Sequence, residues 1–501
     1  MTSLHDTSGD PPDGPTDDPV LVGIDLGSSG ARVAAYDRAG DLVASGEAPL
    51  EGETTTDWEH ALAAAAPDIP DGDHVVAVTS TSGTVVATDD AGEPVAPPLR
   101  YDERADPDTA AAFAAADAAD RASDLGVPVG ATAPLPTLAS AREDRPAYGE
   151  ARWYLPAATW LTWRLLAPAG EAWAPTTDWT NALKFGADVA GAPSWLDDLF
   201  AAADVSTDRL PDIAAPGDHV GTAAGPLASR MGLEGASLHL GVTDGNAAAL
   251  GMGCLEPGDW GVTCGSTSVV KGVTETRAGD GPFYYHRHPL DGWLAGAAFD
   301  SGATFRWLAR LFDRSPAAAL DAAAAADPGT EYGFLPQGDR SPFDDGRMAN
   351  TLAGLWTDAD PGVARGRLFR GVALGVALAE GWFLDAGGAG AVRLLGGGAP
   401  DGVEPDHSGT DDPGVGDYDW WNGLRAAAWD RPVTRMAPRT TAGAVLPAAL
   451  DAGVYGTVDD ARDALCRVVG TVEPSCDPET YAAARQRFGE RWRAARGLYR
   501  G

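Results

Sequence analysis

Two short stretches of this chain are built alike. GIDLGSSGARV starts at Gly23 and GVTCGSTSVVKG starts at Gly261. Each is an apolar run, a glycine, adjoining hydroxyl residues and a second apolar run, which is the pattern of a strand, a tight turn and a returning strand. The copies differ at their third position, where the first has Asp25 and the second has Thr263. A chain that opens two distant segments with the same hairpin is constrained to offer each a strand-rich unit to join. The order of strands then helices, followed by strands then helices again, predicts two α/β halves meeting near residues 225–240.

The length of 501 residues agrees with two cores. VLVGIDLG, ARVAAYDRAGDLVASGEAPL and HVVAVTSTSGTVVATDDAGEPV predict strands, the last with a hairpin at DDAG. Residues 106–126 predict an alanine-rich helix stopped by glycine, and 151–166 an aromatic-rich buried helix. Strands restart at LHLGVTDGNAAALGMG, and helices are expected at 301–314, 316–326, 362–386, 421–428 and 478–498. Residues 1–19 read as a disordered acidic leader without a signal-peptide core, and 401–419 as a solvated acidic loop insertion. The halves are set at 20–235 and 236–501. No apolar run approaches the length of about 18 residues that a membrane span needs.

The charge is lopsided, with 73 acids against 36 bases for a net −37. Only Lys184 and Lys271 among the bases are lysine. The acids are spread along the whole chain, as on a folded surface and not in a tail. Near 1 M salt the Debye length is about 3 Å and such a surface no longer repels itself. The expectation is a protein of a salt-filled cytoplasm, with no nucleic acid among its partners, since that calls for a basic surface, and no membrane, since no span is indicated. Cys254, Cys264, Cys466 and Cys476 form no CxxC pair and no metal-ligand spacing, so reduced, inert thiols are expected.

There is no Walker A motif, and no GxGxxG at a strand–helix junction of the usual kind. A glycine–hydroxyl hairpin can hold phosphate differently, through turn N–H groups and serine hydroxyls. In the first copy Asp25 can direct a cation and Arg32 can reach a phosphate. Two plain β-turns are the alternative, in a chain with 63 glycines. Asp244, in LHLGVTDGNAAALG, stands at a strand end before small residues, where it is either a general base or a helix N-cap. VRLLGGGAP ends a strand in bare backbone on which a planar ring or ribose can lie, or is a loop. Asp102 and Arg104 in LRYDERA are polyol ligands or a surface ion pair. Lys184 and Lys271, kept where arginine replaced nearly all other lysines, suit a tight pocket or are chance survivors.

Taken in order, these pieces resemble the FGGY family of carbohydrate kinases over about residues 20–460. GIDLGSSGAR is similar to the family's first phosphate motif, GVTCGSTS to its second, LLGGGAP to its adenosine motif and TDGNAA to the block with its catalytic aspartate. GFLPQGDRSPFDD and LFRGVALGVALAEG resemble two further blocks, with Asp339 where glutamate is usual. TSTSGTVVATDDAG, TTDWTNALKFGADV and YYHRHPLDGWLAGAAFDSGA look most like the D-ribulose kinases. Tyr101 stands where relatives often have asparagine.

The resemblance implies two actin-like ATPase (ribonuclease H-like) domains with ATP and sugar meeting in a central cleft. It implies Asp244 as catalytic base, with Mg²⁺ near Asp25 and Asp244. Gly27, Ser28, Ser29 and Arg32 would line one side of the phosphates, Gly265, Ser266 and Thr267 the other, and Gly396, Gly397, Gly398 and Ala399 the adenosine. Ser82, Gly83, Asp102, Asn181, Asp244 and Gly245 would meet the sugar. The activity implied is phosphorylation of D-ribulose to D-ribulose 5-phosphate. D-xylulose, another polyol such as glycerol, or a sugar-independent actin-fold ATPase are the alternatives, and a homodimer is an allowed assembly.

Overall fold

The computed structural model describes residues 19–166, 174–278, 281–327, 333–337, 341–343, 347–353, 360–395 and 418–499. Its first sheet contains β1 (Val20–Leu26), β2 (Gly30–Tyr36), β3 (Leu42–Pro49), β4 (His74–Ser80), β5 (His219–Thr222) and β6 (Ser237–His239), in the spatial order β5-β6-β4-β1-β2-β3. The second contains β7 (Trp260–Cys264), β8 (Thr267–Thr274), β9 (Tyr284–Arg287), β10 (Trp293–Asp300), β11 (Val392–Leu395), β12 (Val433–Met436) and β13 (Val468–Val472). Their order is β9-β10-β8-β7-β11-β12-β13.

The two sheets repeat one plan. Each starts with an antiparallel meander, β1-β2-β3 in one and β7-β8-β10 in the other. Each then adds two strands parallel to the first, β4 with β6 and β11 with β12. An antiparallel edge strand closes each side, β5 on β6 and β13 on β12. The two glycine–hydroxyl turns are the first hairpin of each sheet, so the repeat read in the sequence is a repeat of topology. The first sheet draws strands as late as His239, and the second begins at Trp260.

Five helices position the site residues: α1 (Trp179–Phe185), α2 (Asp244–Gly251), α3 (Pro361–Ala386), α4 (Tyr418–Trp429) and α5 (Thr440–Asp451). Of these, α2 and α5 pack together and α5 lies against β1 and β4, so a helix late in the chain covers the first sheet. Leu21, Val75, Val242, Leu250, Val445 and Leu446 belong to one buried cluster that joins the halves. Each such aliphatic side chain contributes about 1.5–3 kcal/mol by leaving water. The contacts are close because the residues are small. A Cβ on Gly443 would stand 1.9 Å from the Ala247 carbonyl oxygen, and one on Gly23 would stand 1.9 Å from that of Thr441.

The helices expected at 301–314, 316–326, 362–386, 421–428 and 478–498 are present with small shifts of their ends. Three expectations are corrected. The helix read over 151–166 begins at Ala157, because Trp153–Pro156 forms a strand paired with Val85–Thr88. The helix read over 106–126 is two, Pro107–Ala114 and Asp117–Asp124. The insertion read as loop to residue 419 gives way to α4 at Tyr418, and α5 is a helix that the sequence reading does not include. Among the described residues no helix is long and apolar enough to cross a membrane. The leader up to residue 18 and most of the 401–419 insertion lie outside the described residues.

Candidate active site

The cleft floor is made where three adjacent parallel strands end, the usual place for a ligand in an open α/β sheet. β1 ends in Asp25 and Leu26, whose register partners on β4 are Thr79 and Ser80. Ser80 in turn bridges to Thr243 in parallel register. The Thr79 hydroxyl donates to the Val242 carbonyl at 2.6 Å, and the Thr81 N–H to the Leu26 carbonyl at 3.1 Å. This ladder carries the first hairpin, the Thr81–Gly83 turn and Asp244 to one edge. Gly83 has φ +89°, a conformation that favours glycine.

Asp244 opens α2, and its Oδ1 accepts the Gly245 N–H at 2.7 Å. Burial pushes its carboxyl above the usual carboxylate range, opposed by the Gly245 N–H, the Lys271 and Lys184 ammoniums and the Ser82 backbone N–H. Lys271, buried on β8, donates from Nζ to the Gly245 carbonyl. Burial pulls the Lys271 ammonium down to about 8; Asp244 opposes that shift and Lys184 adds to it. Burial likewise lowers Lys184, on α1, with Asp244 opposing. His286 on β9 is held well below its ordinary value by burial and by both lysines. The arrangement is a carboxylate in the field of two ammoniums, with a neutral imidazole in the same field, able to take a proton from a hydroxyl placed at the strand ends.

A buried anchor sets the height of this edge. Asp178 caps α1, accepting the N–H groups of Thr180 and Asn181 at 2.8 and 3.1 Å and the Asn181 side-chain amide at 2.6 Å. Burial pushes Asp178 upward and these hydrogen bonds oppose it. The Thr180 hydroxyl donates to Asp178 at 2.5 Å and accepts the Thr243 N–H at 2.9 Å. Asn181, expected at the sugar, thus gives one of its two amide N–H groups to Asp178. The sequence reading misses Asp178 and Thr180, though an aspartate with short polar residues two and three positions on is a readable N-cap.

The two hairpins are alike but not equal in length. In the first, the Gly27 N–H donates to Gly30 O at 2.9 Å, enclosing Ser28 and Ser29. In the second, the Gly265 N–H donates to Thr267 O at 3.2 Å, enclosing Ser266 alone. Ser266 is further held by Arg306, 2.5 Å from its hydroxyl. Beneath it the Ser268 hydroxyl donates to Glu380 of α3 at 2.5 Å, and Arg425 of α4 donates to the same carboxylate at 2.9 Å. Glu380 and Arg425 are fully buried. A lone acid in the long apolar stretch of α3 is the sequence signal for this strut.

Arg32 lies opposite Asp25 in the β1–β2 ladder, at 3.3 Å. A cavity of about 250 Å³ beside the first hairpin is lined by Gly27, Ser28, Trp58, Thr81, Arg100 and Tyr101 among others. Asp102 is held by Arg100 in a two-pronged ion pair, 3.1 Å on each arm, and is largely exposed. For that residue the structure gives the surface ion pair, with neither carboxylate oxygen free of the guanidinium. Gly396, Gly397, Gly398 and Ala399, and Asp339 with them, lie outside the described residues. Among the described residues no three His, Cys, Asp or Glu side chains gather around a metal position. Asp25 and the Asp244 segment lie two strands apart, about 10 Å between backbones, which fits a hydrated cation brought in by phosphates and not an all-protein cage.

No protein-family model matches the chain. It is 30% identical over 225 residues to the glycerol kinase of Rhizorhabdus wittichii, a match that covers 42% of this chain and spans less than half, 43%, of that relative. Among solved structures it is similar to the xylulose kinase from Rhodospirillum rubrum, with TM-score 0.77 and 22% identity over 96% of this chain and 99% of the other. It is also similar to Plasmodium falciparum glycerol kinase with ADP, with TM-score 0.76 and 15% identity over 97% and 99%. The resemblance read in the motifs is thus met by the architecture: the chain has the duplicated, two-domain actin-like fold of the FGGY carbohydrate kinases.

Proposed function

We propose that this protein is an ATP-dependent sugar kinase that phosphorylates the terminal hydroxyl of a pentulose, D-ribulose foremost. The observation that carries the reading is Asp244, a half-buried carboxylate at the edge where the first phosphate hairpin and the Thr81–Gly83 turn also end. Gly27, Ser28, Ser29 and Arg32 take one side of the phosphates; Gly265, Ser266 and Thr267 take the other. Gly396 to Ala399 take the adenosine. Asp25 and Asp244 are the carboxylates that would hold Mg²⁺ beside the phosphates, where it supplies charge neutralisation.

Ser82, Gly83, Asn181 and Gly245 place the sugar, joined by Asp102 where Arg100 releases it. Asp244 then takes the proton from the terminal hydroxyl as that oxygen attacks the γ-phosphorus in line. Closure of the two halves excludes water and so limits wasteful hydrolysis. The acidic surface fits work in a salt-rich cytoplasm.

ADP release in molar KCl, measured against D-ribulose, D-xylulose, L-ribulose, glycerol and gluconate, tests this reading. D-ribulose is expected to give the highest kcat/KM. Preference for another polyol overturns the substrate and leaves the kinase; ADP release indifferent to every sugar overturns the kinase as well.

A further inference from the structure

The second hairpin is stapled at its neck. Cys264 ends β7, Ser268 is the second residue of β8, and the two are register partners across the turn. Side chains alternate along a strand, so register partners point to the same face of the sheet, and here both reach one oxygen of α3. The Ser268 hydroxyl donates to Glu380 Oε1 at 2.5 Å, and the Cys264 thiol lies 3.8 Å from the same atom. Arg425 of α4 takes the other oxygen, Nε to Oε2 at 2.9 Å, and its Nη1 donates to the Asn422 side chain at 3.2 Å. Trp421 and Trp429, about one turn to either side of Arg425, donate from Nε1 to the Ala373 and Ala377 carbonyls at 3.1 and 2.9 Å, which bolts α4 to α3. The turn itself is gripped as well. Its Gly265 carbonyl accepts the Gly302 N–H at 3.2 Å, and its Ser266 carbonyl accepts those of Ser301 and Ala303 at 3.0 Å each. The first hairpin has no such staple, since its neck pair is Leu26 and Ala31. A buried ion pair is by itself a weak source of stability, because apolar side chains of like volume serve as well. What apolar side chains could not supply is an acceptor for Ser268.

Resting on the kinase reading, we propose that Glu380 is a positioning residue for the nucleotide: fixed by Arg425, it holds the Cys264–Ser268 neck and so sets the Gly265–Thr267 turn against the phosphates. The Thr81–Gly83 turn and α1, where the sugar is proposed to bind, belong to the first half and lie off this path. The device acts on ATP and leaves the sugar alone.

Ser268→Ala removes the staple and keeps the Glu380–Arg425 pair, so this variant retains the buried strut. Its KM for ATP is expected to rise about tenfold, with the KM for the sugar held within about twofold. An unmoved KM for ATP, or an equal rise for both substrates, overturns the proposal. Glu380→Leu combined with Arg425→Met replaces the pair by apolar side chains and separates positioning from packing. Its urea midpoint should recover from that of Glu380→Leu alone while the KM for ATP stays raised; recovery of both overturns the proposal, and Ser268→Ala decides if the double variant fails to fold. Amide hydrogen exchange needs no turnover. The peptide that spans the second turn should exchange about tenfold faster in Ser268→Ala, and the peptide of the first turn at its wild-type rate. No acceleration at the second turn, or the same acceleration at both, overturns the staple. A wild-type chain that releases no ADP with any sugar sinks the kinase reading, and exchange at the second turn still decides whether Ser268 and Glu380 hold it.

Discussion

Arg32 Nη1 lies 3.3 Å from Asp25 Oδ2, directly across the β1–β2 ladder. On the proposed reading, the residue for a phosphate and the residue for a cation thus neutralise each other until both ligands arrive together. Arg32→Ala should raise the KM for ATP by about tenfold or more, the worth of a charge-assisted hydrogen bond of roughly 1.5–3 kcal/mol. Steady-state kinetics at saturating Mg²⁺ measure it. An unchanged KM would mean that Arg32 serves Asp25 alone.

Asp244→Asn keeps the shape of the α2 N-terminus but removes the proton acceptor. The loss in kcat should be about 10²–10⁴-fold, with ADP affinity retained in a calorimetric titration. Turnover like that of the wild type would sink the mechanism.

The pH profile should be displaced at both ends. Asp244 works only when ionised and burial raises its pKa, so kcat/KM falls as pH drops through a limb lying above the ordinary aspartate value of 3.8. Lys271 loses its proton near 8, and the Gly245 carbonyl beside Asp244 then loses its charged donor, so activity is expected to decline again above about pH 8. A flat rate from pH 4 to 10 would contradict both assignments.

Glu380→Ala leaves the Arg425 guanidinium buried without its carboxylate and frees the Ser268 hydroxyl. Breaking a buried pair from one side costs about 3–5 kcal/mol. Urea unfolding in molar KCl should show a loss of that order. A loss below about 1 kcal/mol would mean that water or another group replaces the acid.

Gly443→Ala drives a methyl into the Ala247 carbonyl, where α2 and α5 touch backbone to backbone. Overpacking of this kind costs about 1–3 kcal/mol, and here the yielding element carries Asp244. Reduced thermal stability should therefore come with reduced kcat. If stability falls while kcat holds, α2 does not transmit the strain.

The hairpins and Asp244 are legible in the sequence because turn chemistry is local: glycine, hydroxyl and acid have to follow one another. The Trp153–Pro156 strand is not, since a short apolar run suits helix and strand equally and its partner, Val85–Thr88, is remote in sequence. TTAGAVLPAALD of α5 hides a helix behind Gly443 and Pro447, and only packing against β1 and α2 makes small residues the right choice. Asp102 cannot be placed from LRYDERA, because a polyol ligand and a partner of Arg100 need the same carboxylate. The strut from Ser268 to Arg425 joins residues far apart in the chain, and α3 announces it only as a charge out of place.

With arginine everywhere else, the side-chain amines of this protein are confined to the neighbourhood of Asp244. Acylating reagents, which decorate most proteins over their whole surface, would find side-chain targets here only within the cleft. Burial lowers both amines, Lys271 to about 8, and Lys184 is the more open to solvent. The rate of acylation at each becomes a footprint of occupancy, slowed wherever a bound molecule covers the cleft, with no lysine background from the acidic exterior.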